Sequence, residues 1–322
     1  NVGLVGSEMC IRDSMTTTKR LFVAVFVCLL LTPLYSQTQP TERPKIGLVL
    51  SGGGARGFAH IGVLNVLEEI GLQVDLITGT SMGAIVGGFY AVGYDARTIN
   101  KLVSEQNWDK LLDDQIVRSE ISMPEKSQSN KYVGSFPIYE QGLSLPSGLL
   151  AGQNVSMLLS RLSWPVHHVQ NFDEFYTPFR CVATDIVTGK AVVLKSGYLP
   201  DAIRASMAIP SVFTPVEIDD RLLVDGGLVM NFPVDEALNM GADIIVGVSV
   251  GTPLQPKEKL RSLAAIMLQA MTFKRAEVTA QQAKKCDILI QPDLGDFSPA
   301  DFNKADTLIA LGEIAARKLS LI

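Results

Sequence analysis

Short apolar runs and glycines alternate along this chain with longer stretches in which apolar positions recur every three or four residues. Ile46-Gly47-Leu48-Val49-Leu50 carries no charge and predicts a buried strand. Past a glycine-rich loop, Ile61, Leu64 and Leu67, with Val63 and Val66 on a neighbouring stripe, predict a helix over about 59–70. A second apolar run, Leu76-Ile77-Thr78, leads into small residues from Met82 to about Val92 that read as a helix. The alternation continues with helices over 95–108 and 153–162, the latter turning Leu158, Leu159 and Leu162 toward a core. Strands follow over 179–184 and 191–194 about a turn at 185–189, then at 222–224. A helix begins after Asn231-Phe232-Pro233, an apolar run covers 244–250, a long helix covers 260–284, a strand covers 288–291, and a last helix starts at 302. Repeated strand and helix predict an α/β fold whose mostly parallel sheet is covered on both faces. Residues 113–130 are polar and read as an excursion, and 132–146 as a hairpin over the site. Phe136, Ile138, Leu143, Leu145, Leu149 and Leu150 cluster around it, as hairpin packing or as an exposed apolar rim.

The second strand ends in Gly79-Thr80-Ser81-Met82-Gly83. Strand, Gly-x-Ser-x-Gly and helix in that order form the context of a nucleophile elbow. Gly79 and Gly83 keep side chains out of a tight turn, and Ser81 falls at a helix start, where free N–H groups favour negative charge. The same five-residue pattern recurs at Gly247-Val248-Ser249-Val250-Gly251. There Pro253 and Pro256 follow, which argues against a helix, so Ser249 is set aside and Ser81 is the candidate nucleophile.

The chain has 322 residues, 28 Lys+Arg against 33 Asp+Glu for a net charge of −5, and a hydrophobic fraction of 47%. That suffices for a substantial core and gives no basic footprint for nucleic acid. Residues 15–36 read as a secretory signal: Lys19-Arg20, an apolar run from Leu21 to Leu31, a break at Pro33 and a cleavage point after Ser36. As a helix that run rises about 16 Å, against a hydrocarbon core of roughly 30 Å, so export is favoured over an anchor. The expected location is therefore exported: periplasm, outer membrane or secreted. Residues 1–14 precede the signal and resemble translated adapter sequence; they read as an artefact, with Met15 as the native start. Residues 37–44 are a polar linker, and 45–322 form the folded domain. Outside the first two segments only Cys181 and Cys286 remain, both in apolar runs, which gives no disulfide framework and no metal site.

The loop Ser51-Gly52-Gly53-Gly54-Ala55-Arg56-Gly57 has two readings. Gly52-x-Gly54-x-x-Gly57 matches a dinucleotide fingerprint, which would make the chain a nucleotide-binding oxidoreductase. That fingerprint wants an acid closing a second strand; Asp75 has the distance but precedes the strand. In the other reading, consecutive glycines converge backbone N–H groups on one point as an oxyanion hole. Two such loops on successive strands, one bearing donors and one a serine, make better sense as one hydrolytic site.

Gly52-Gly53-Gly54-Ala55-Arg56-Gly57, Gly79-Thr80-Ser81-Met82-Gly83 and Asp225-Gly226-Gly227 stand in patatin order and spacing, and the chain resembles bacterial patatin-like phospholipases over nearly all of 45–319. The resemblance implies a three-layer α/β/α sandwich, lipid acyl hydrolysis without a cofactor, and a Ser81–Asp225 dyad. It also implies an oxyanion loop of Gly52, Gly53, Gly54 and Arg56, with 202–210 lining the site. Acyl lipids and a membrane surface are the implied partners. Some secreted relatives continue into a POTRA-type module and a β-barrel, so a longer native chain is expected on that resemblance. A dyad also follows from the residues themselves. The chain has three histidines, His60, His167 and His168, and none follows Asp225. His60 reads as a packing residue and the His167–His168 pair as solvated loop, against a Ser-His-Asp triad. A catalytically silent passenger domain is the remaining alternative, which the intact Ser81, Asp225 and glycine loop oppose.

Overall fold

A computed structural model describes residues 43–112, 138–139, 142–143, 148–252, 254, 256–261 and 263–319. The expected artefact, the signal, the polar excursion at 113–130, and Phe136 and Leu145 of the apolar cluster lie outside these residues. So does the linker up to residue 42.

The folded unit, Pro44–Ile322, opens with β1 (Ile46–Leu50) and a glycine loop ending in a 3-10 turn at Gly54–Phe58. Next come α1 (Ala59–Glu69), β2 (Leu76–Thr80), α2 (Met82–Ala91), α3 (Ala96–Ser104) and α4 (Trp108–Leu111). The short strands β3 (Ile138–Tyr139), β4 (Gly142–Leu143) and β5 (Gly148–Leu150) precede α5 (Gln153–Leu162). There follow β6 (Phe179–Asp185), β7 (Lys190–Leu194), α6 (Leu199–Ser206), β8 (Ser211–Phe213), β9 (Val216–Ile218) and β10 (Arg221–Asp225). The chain closes with α7 (Val234–Asn239), β11 (Ile244–Val248), α8 (Leu263–Ala283), β12 (Ile288–Ile290) and α9 (Ala305–Leu319).

Among the described residues the main sheet has eight strands in the order β12-β11-β1-β2-β6-β10-β9, with β7 also on β6. From β12 to β6 every pairing is parallel; β7, β10 and β9 add antiparallel. Side chains on successive strand residues face opposite ways. Leu48, Leu50 and Ile77 therefore pack with α1, α2 and α9, while Val49, Leu76 and Ile245 pack with Phe232, Val234 and Ala237 on the α7 side. These two cores make the expected three layers. Full burial of a side chain such as Phe232 stabilises by about 1.5–3 kcal/mol.

The layer over the site is tightened where α1 meets α9. A Cβ on Gly62 would stand 1.9 Å from the Ile309 carbonyl oxygen, and one on Gly312 2.0 Å from that of Ala59. The two glycines let the helix backbones touch, which braces the helix that begins at the glycine loop.

The elements differ from expectation in two places, and a third, the hairpin, agrees with it. The helix expected over 95–108 is two helices. Asp95 accepts the Thr98 N–H at 2.7 Å and starts α3; Asn107 accepts the Lys110 N–H at 3.0 Å and starts α4. A second capping side chain restarts the backbone, and Trp108 then docks on Phe58 at 5.0 Å and Phe302 at 5.3 Å between ring centroids. The expected hairpin is present as β3 and β4, paired Ile138 with Leu143 and Tyr139 with Gly142. Finally, β5 pairs parallel with β8, a contact between distant segments that periodicity does not show. Leu150 is half-buried against the main core.

Candidate active site

The sheet brings Ser81 and Asp225 together through β6. Residues 181–185 of β6 pair on one edge with β7, so β2 and β10 must share the other. Thr80, the last residue of β2, pairs with Val182; Asp225, the last residue of β10, pairs with the next residue, Ala183. The parallel and antiparallel strands thus end head to head on one edge.

At that junction Ser81 turns the chain from β2 into α2 with φ 53° and ψ −121°. A non-glycine residue held there costs on the order of 1–3 kcal/mol. Its neighbours must be bare to allow it. A Cβ on Gly79 would stand 2.4 Å from the Gly83 carbonyl oxygen, and one on Gly83 2.2 Å from that of Leu50. The Ser81 N–H donates to Ser206 Oγ at 3.0 Å, and the Ser81 hydroxyl donates to Asp225 Oδ2 at 2.6 Å. The other carboxylate oxygen, Oδ1, accepts the Gly227 N–H at 2.6 Å. Both side chains are nearly closed to solvent, Ser81 at 6% and Asp225 at 7% exposure.

Burial raises the Asp225 carboxyl above the ordinary aspartate value; the Ser81 and Gly227 hydrogen bonds and the charge of Arg275 oppose this without cancelling it. A raised pKa makes the carboxylate a better base. The ionised form is the one that can take a proton. Catalysis is therefore expected to fall as pH drops through this raised value, and the acid limb of kcat/KM to lie above the ordinary aspartate range. A pH–rate profile checks this, and a limb at or below that range would show that Asp225 is not the titrating base.

The glycine loop divides its labour. The Gly52 N–H donates to the Asn231 carbonyl at 3.1 Å, and Asn231 Nδ2 donates to the Gly52 carbonyl at 3.2 Å. The Ala55 N–H donates to the Pro299 carbonyl at 2.8 Å. Between them, the N–H groups of Gly53 and Gly54 have no acceptor among the described residues. Gly54 sits at φ +57°, where a Cβ would also meet the Pro299 carbonyl at 2.4 Å. The loop runs directly against the elbow: a Cβ on Gly52 would stand 3.1 Å from Ser81 Cβ. That proximity places the loop against a serine, where the dinucleotide reading needs an open cradle.

Arg56 was expected in the oxyanion loop. It is buried, and its guanidinium donates to backbone carbonyls: Nε to Val250 at 3.0 Å, and the terminal nitrogens to Phe297 at 3.0 Å and to Gly295 and Gly251 at 3.4 Å. It braces the loop against the end of β11. The second Gly-x-Ser-x-Gly lies in this brace. The Ser249 N–H donates to the Ile290 carbonyl, the Val250 N–H to Ser51 Oγ, and no helix follows within the described turn.

Among the described residues no histidine bonds Ser81 or Asp225. His60 is fully buried and its Nε2 lies 2.8 Å from the Ser51 carbonyl; burial pushes its pKa down to about 4, so the neutral ring donates there. It props the glycine loop. His167 is exposed and stacks on Trp164 at 4.6 Å. Cys181 and Cys286 are free thiols, and no group of His, Cys, Asp or Glu among the described residues could hold a metal.

Three further residues support the site, and of these Arg275 has no sequence signal. Arg275 of α8 is half-buried and exerts its charge on Asp225. Asn231 ties the glycine loop to the Asp225 turn, and its only cue is its place shortly after Asp-Gly-Gly. Ser206 lies within the 202–210 stretch expected to line the site. Beside Ser81 opens an apolar cavity walled by Val86 and Phe89 of α2, Ile99 of α3, Leu159 of α5, Met207 and Phe213.

The family model for patatin-like phospholipases matches residues 48–238. With its three-layer fold and its serine elbow facing an aspartate, the chain belongs to the patatin-like phospholipase family. An uncharacterized NTE family protein of Mycobacterium tuberculosis is 32% identical over 218 residues, 68% of this chain and 52% of that one. The lysophospholipase NTE1 of Debaryomyces hansenii is 29% identical over 307 residues, 85% of this chain and 18% of that one. The chain thus spans about half the length of the mycobacterial relative and less than a fifth of the yeast enzyme. The solved structure of VipD from Legionella pneumophila aligns over 86% of this chain and 66% of its own, with a TM-score of 0.49 and 16% identity.

Proposed function

We propose that the protein is a lipid acyl hydrolase that cleaves the carboxylic esters of phospholipids or lysophospholipids through an acyl-enzyme on Ser81. The observation that carries this reading is the 2.6 Å bond from the Ser81 hydroxyl to the buried Asp225 carboxylate, beside a cavity walled by apolar side chains. Asp225 takes the hydroxyl proton as Oγ attacks the ester carbonyl. The N–H groups of Gly53 and Gly54 receive the negative charge that develops on the carbonyl oxygen. Asp225 then gives the proton to the departing alcohol. In the second half, water loses a proton to Asp225 and attacks the acyl group, and Ser81 recovers its hydroxyl as the fatty acid leaves. The cavity suits the acyl chain of such a substrate, since apolar walls reward an apolar chain and nothing polar. Membership of the family and the likeness to a yeast lysophospholipase support the same substrate class.

Export belongs to the same proposal, supported by the basic start and short apolar run at 15–36. A membrane surface as the place of action is supported by the exposed Ile209 and Val212, close in sequence to the cavity wall at Met207 and Phe213.

The test is hydrolysis of p-nitrophenyl butyrate and of phosphatidylcholine and lysophosphatidylcholine dispersions by the purified protein, with a fluorophosphonate probe located by mass spectrometry. Turnover of an ester and a phospholipid substrate, with the probe on Ser81, is the expected result. An unmodified Ser81 and no turnover of any of them would reject the reading.

A further inference from the structure

One short stretch touches the backbone of both dyad residues. Ser206 is fully buried at the end of α6. Its hydroxyl accepts the Ser81 N–H at 3.0 Å and donates to the Val182 carbonyl at 2.6 Å. Two residues on, the Ala208 carbonyl accepts the Asp225 N–H at 2.8 Å. Val182 is the β6 residue that pairs with Thr80, so Ser206 spans from the strand register to the elbow itself. The hydroxyl therefore completes a chain of hydrogen bonds: Ser81 N–H to Ser206 Oγ, and Ser206 Oγ–H to Val182.

The elbow needs such a partner. The β2–β6 ladder ends at Thr80, so the Ser81 N–H lies beyond it, yet Ser81 is buried. A buried donor without an acceptor costs about 1–3 kcal/mol, and the strained conformer adds to that. As the N–H of a helix N-cap residue, that of Ser81 has no acceptor within α2, so one must come from another segment. Ser206 supplies one, while Ala208 fixes the start of the Asp225 turn from the same stretch.

We propose that Ser206 is a positioning residue for ester hydrolysis: through the Ser81 N–H, and together with the Ala208 carbonyl, it holds the nucleophile and the base in register. It does not touch the substrate and moves no proton. The inference rests on the hydrolase reading given above. It goes beyond it by placing the alignment of the dyad in the α6–β8 connection instead of in the two motifs themselves.

Ser206→Ala removes the acceptor while leaving the Ala208 bond. Its kcat per fluorophosphonate-titrated site is expected to fall about 10- to 100-fold, with KM changed less than about twofold. The pH profile gives a reading that loss of packing would not move. Asp225 is faced by the Ser81 hydroxyl, the Gly227 N–H and, from α8, Arg275. Loosening the elbow weakens the first of these, all of which favour the carboxylate, so the acid limb should move to higher pH. Ser206→Thr keeps the oxygen and should retain more of wild-type kcat than Ser206→Ala. Ser206→Cys keeps the size but offers a weak acceptor, and should resemble Ser206→Ala; it serves as the comparison if the alanine variant does not fold. Wild-type kcat per site in Ser206→Ala or Ser206→Cys, or a lowered kcat with an unmoved acid limb and no rescue by threonine, would overturn the proposal. Inactive wild-type protein with an unlabelled Ser81 would instead reject the hydrolase reading, so the two failures are separable.

Discussion

Asp225→Asn is expected to lower kcat for ester hydrolysis by about 10⁴-fold and to leave the fold intact. The geometry explains both halves. Asparagine is isosteric with the carboxylate, so its amide oxygen can still accept the Gly227 N–H in place of Oδ1. The amide nitrogen then occupies the position of Oδ2, 2.6 Å from Ser81 Oγ, and donates where the carboxylate accepted. The hydroxyl proton loses its acceptor, and no histidine among the described residues can substitute. Stability is expected to go the other way. Burial raises the folded-state pKa of Asp225, so its protonated form stabilises the fold below the unfolded pKa, and that contribution is lost as pH rises through the folded pKa. Above that folded pKa the wild type bears a buried charge that the amide does not. The melting temperature of Asp225→Asn relative to wild type should therefore increase as pH rises through the folded pKa. Steady-state kinetics and thermal melts across pH measure both. A variant that keeps wild-type kcat within about tenfold would remove Asp225 as the base.

Much of this site was legible because its three motifs each combine a glycine requirement with a chemical group. Gly79 and Gly83 are demanded by backbone oxygens 2.4 and 2.2 Å from where a Cβ would stand, a constraint strong enough to show in sequence. The helices and strands around them follow from periodicity, since both faces of the sheet are buried and the runs are short and apolar. What sequence could not show was how distant segments share one edge of a strand. Ser81 and Asp225 are 144 residues apart, and they meet because β2 and β10 end at adjacent residues of β6. That depends on register, and period alone does not set it.

The roles inside the glycine loop were hidden for the same reason. Arg56 and Gly52 read as oxyanion residues by position, but their hydrogen bonds go to carbonyls at Val250, Gly295, Phe297 and Asn231, which only the folded chain brings near. An arginine with five fixed donors suits a cluster of converging carbonyls, and no local pattern announces such a cluster. His60 shows the converse. It reads as a packing residue from sequence, and its burial, a pKa of about 4 and a bond to the Ser51 carbonyl make it a neutral prop. Arg275 on α8 had no cue, because a cation in a long helix is ordinarily a solvated one.

Ser81→Ala is expected to reduce kcat by about 10⁶-fold, the loss typical of deleting a serine nucleophile. Its effect on stability separates two contributions that coincide in the wild type. Alanine removes the Ser81–Asp225 hydrogen bond but keeps a Cβ at φ 53° and ψ −121°. Glycine at the same position also removes the hydrogen bond, and in addition releases the strain of that conformation. The strain is on the order of 1–3 kcal/mol, against about 0.5–1 kcal/mol of extra backbone entropy that glycine loses on folding. Ser81→Gly should therefore unfold at a higher urea concentration than Ser81→Ala, by a margin of about 1 kcal/mol. Both should be inert to the fluorophosphonate probe. The comparison needs no substrate, so it tests the elbow independently of the lipid. An alanine variant more stable than the glycine variant by about 0.5–1 kcal/mol would mean that the turn at Ser81 is unstrained, and that Gly79 and Gly83 serve only to let the strand and helix approach. A glycine variant that gains stability while losing all activity would show that strain is retained at this position because the nucleophile must project from it toward Asp225.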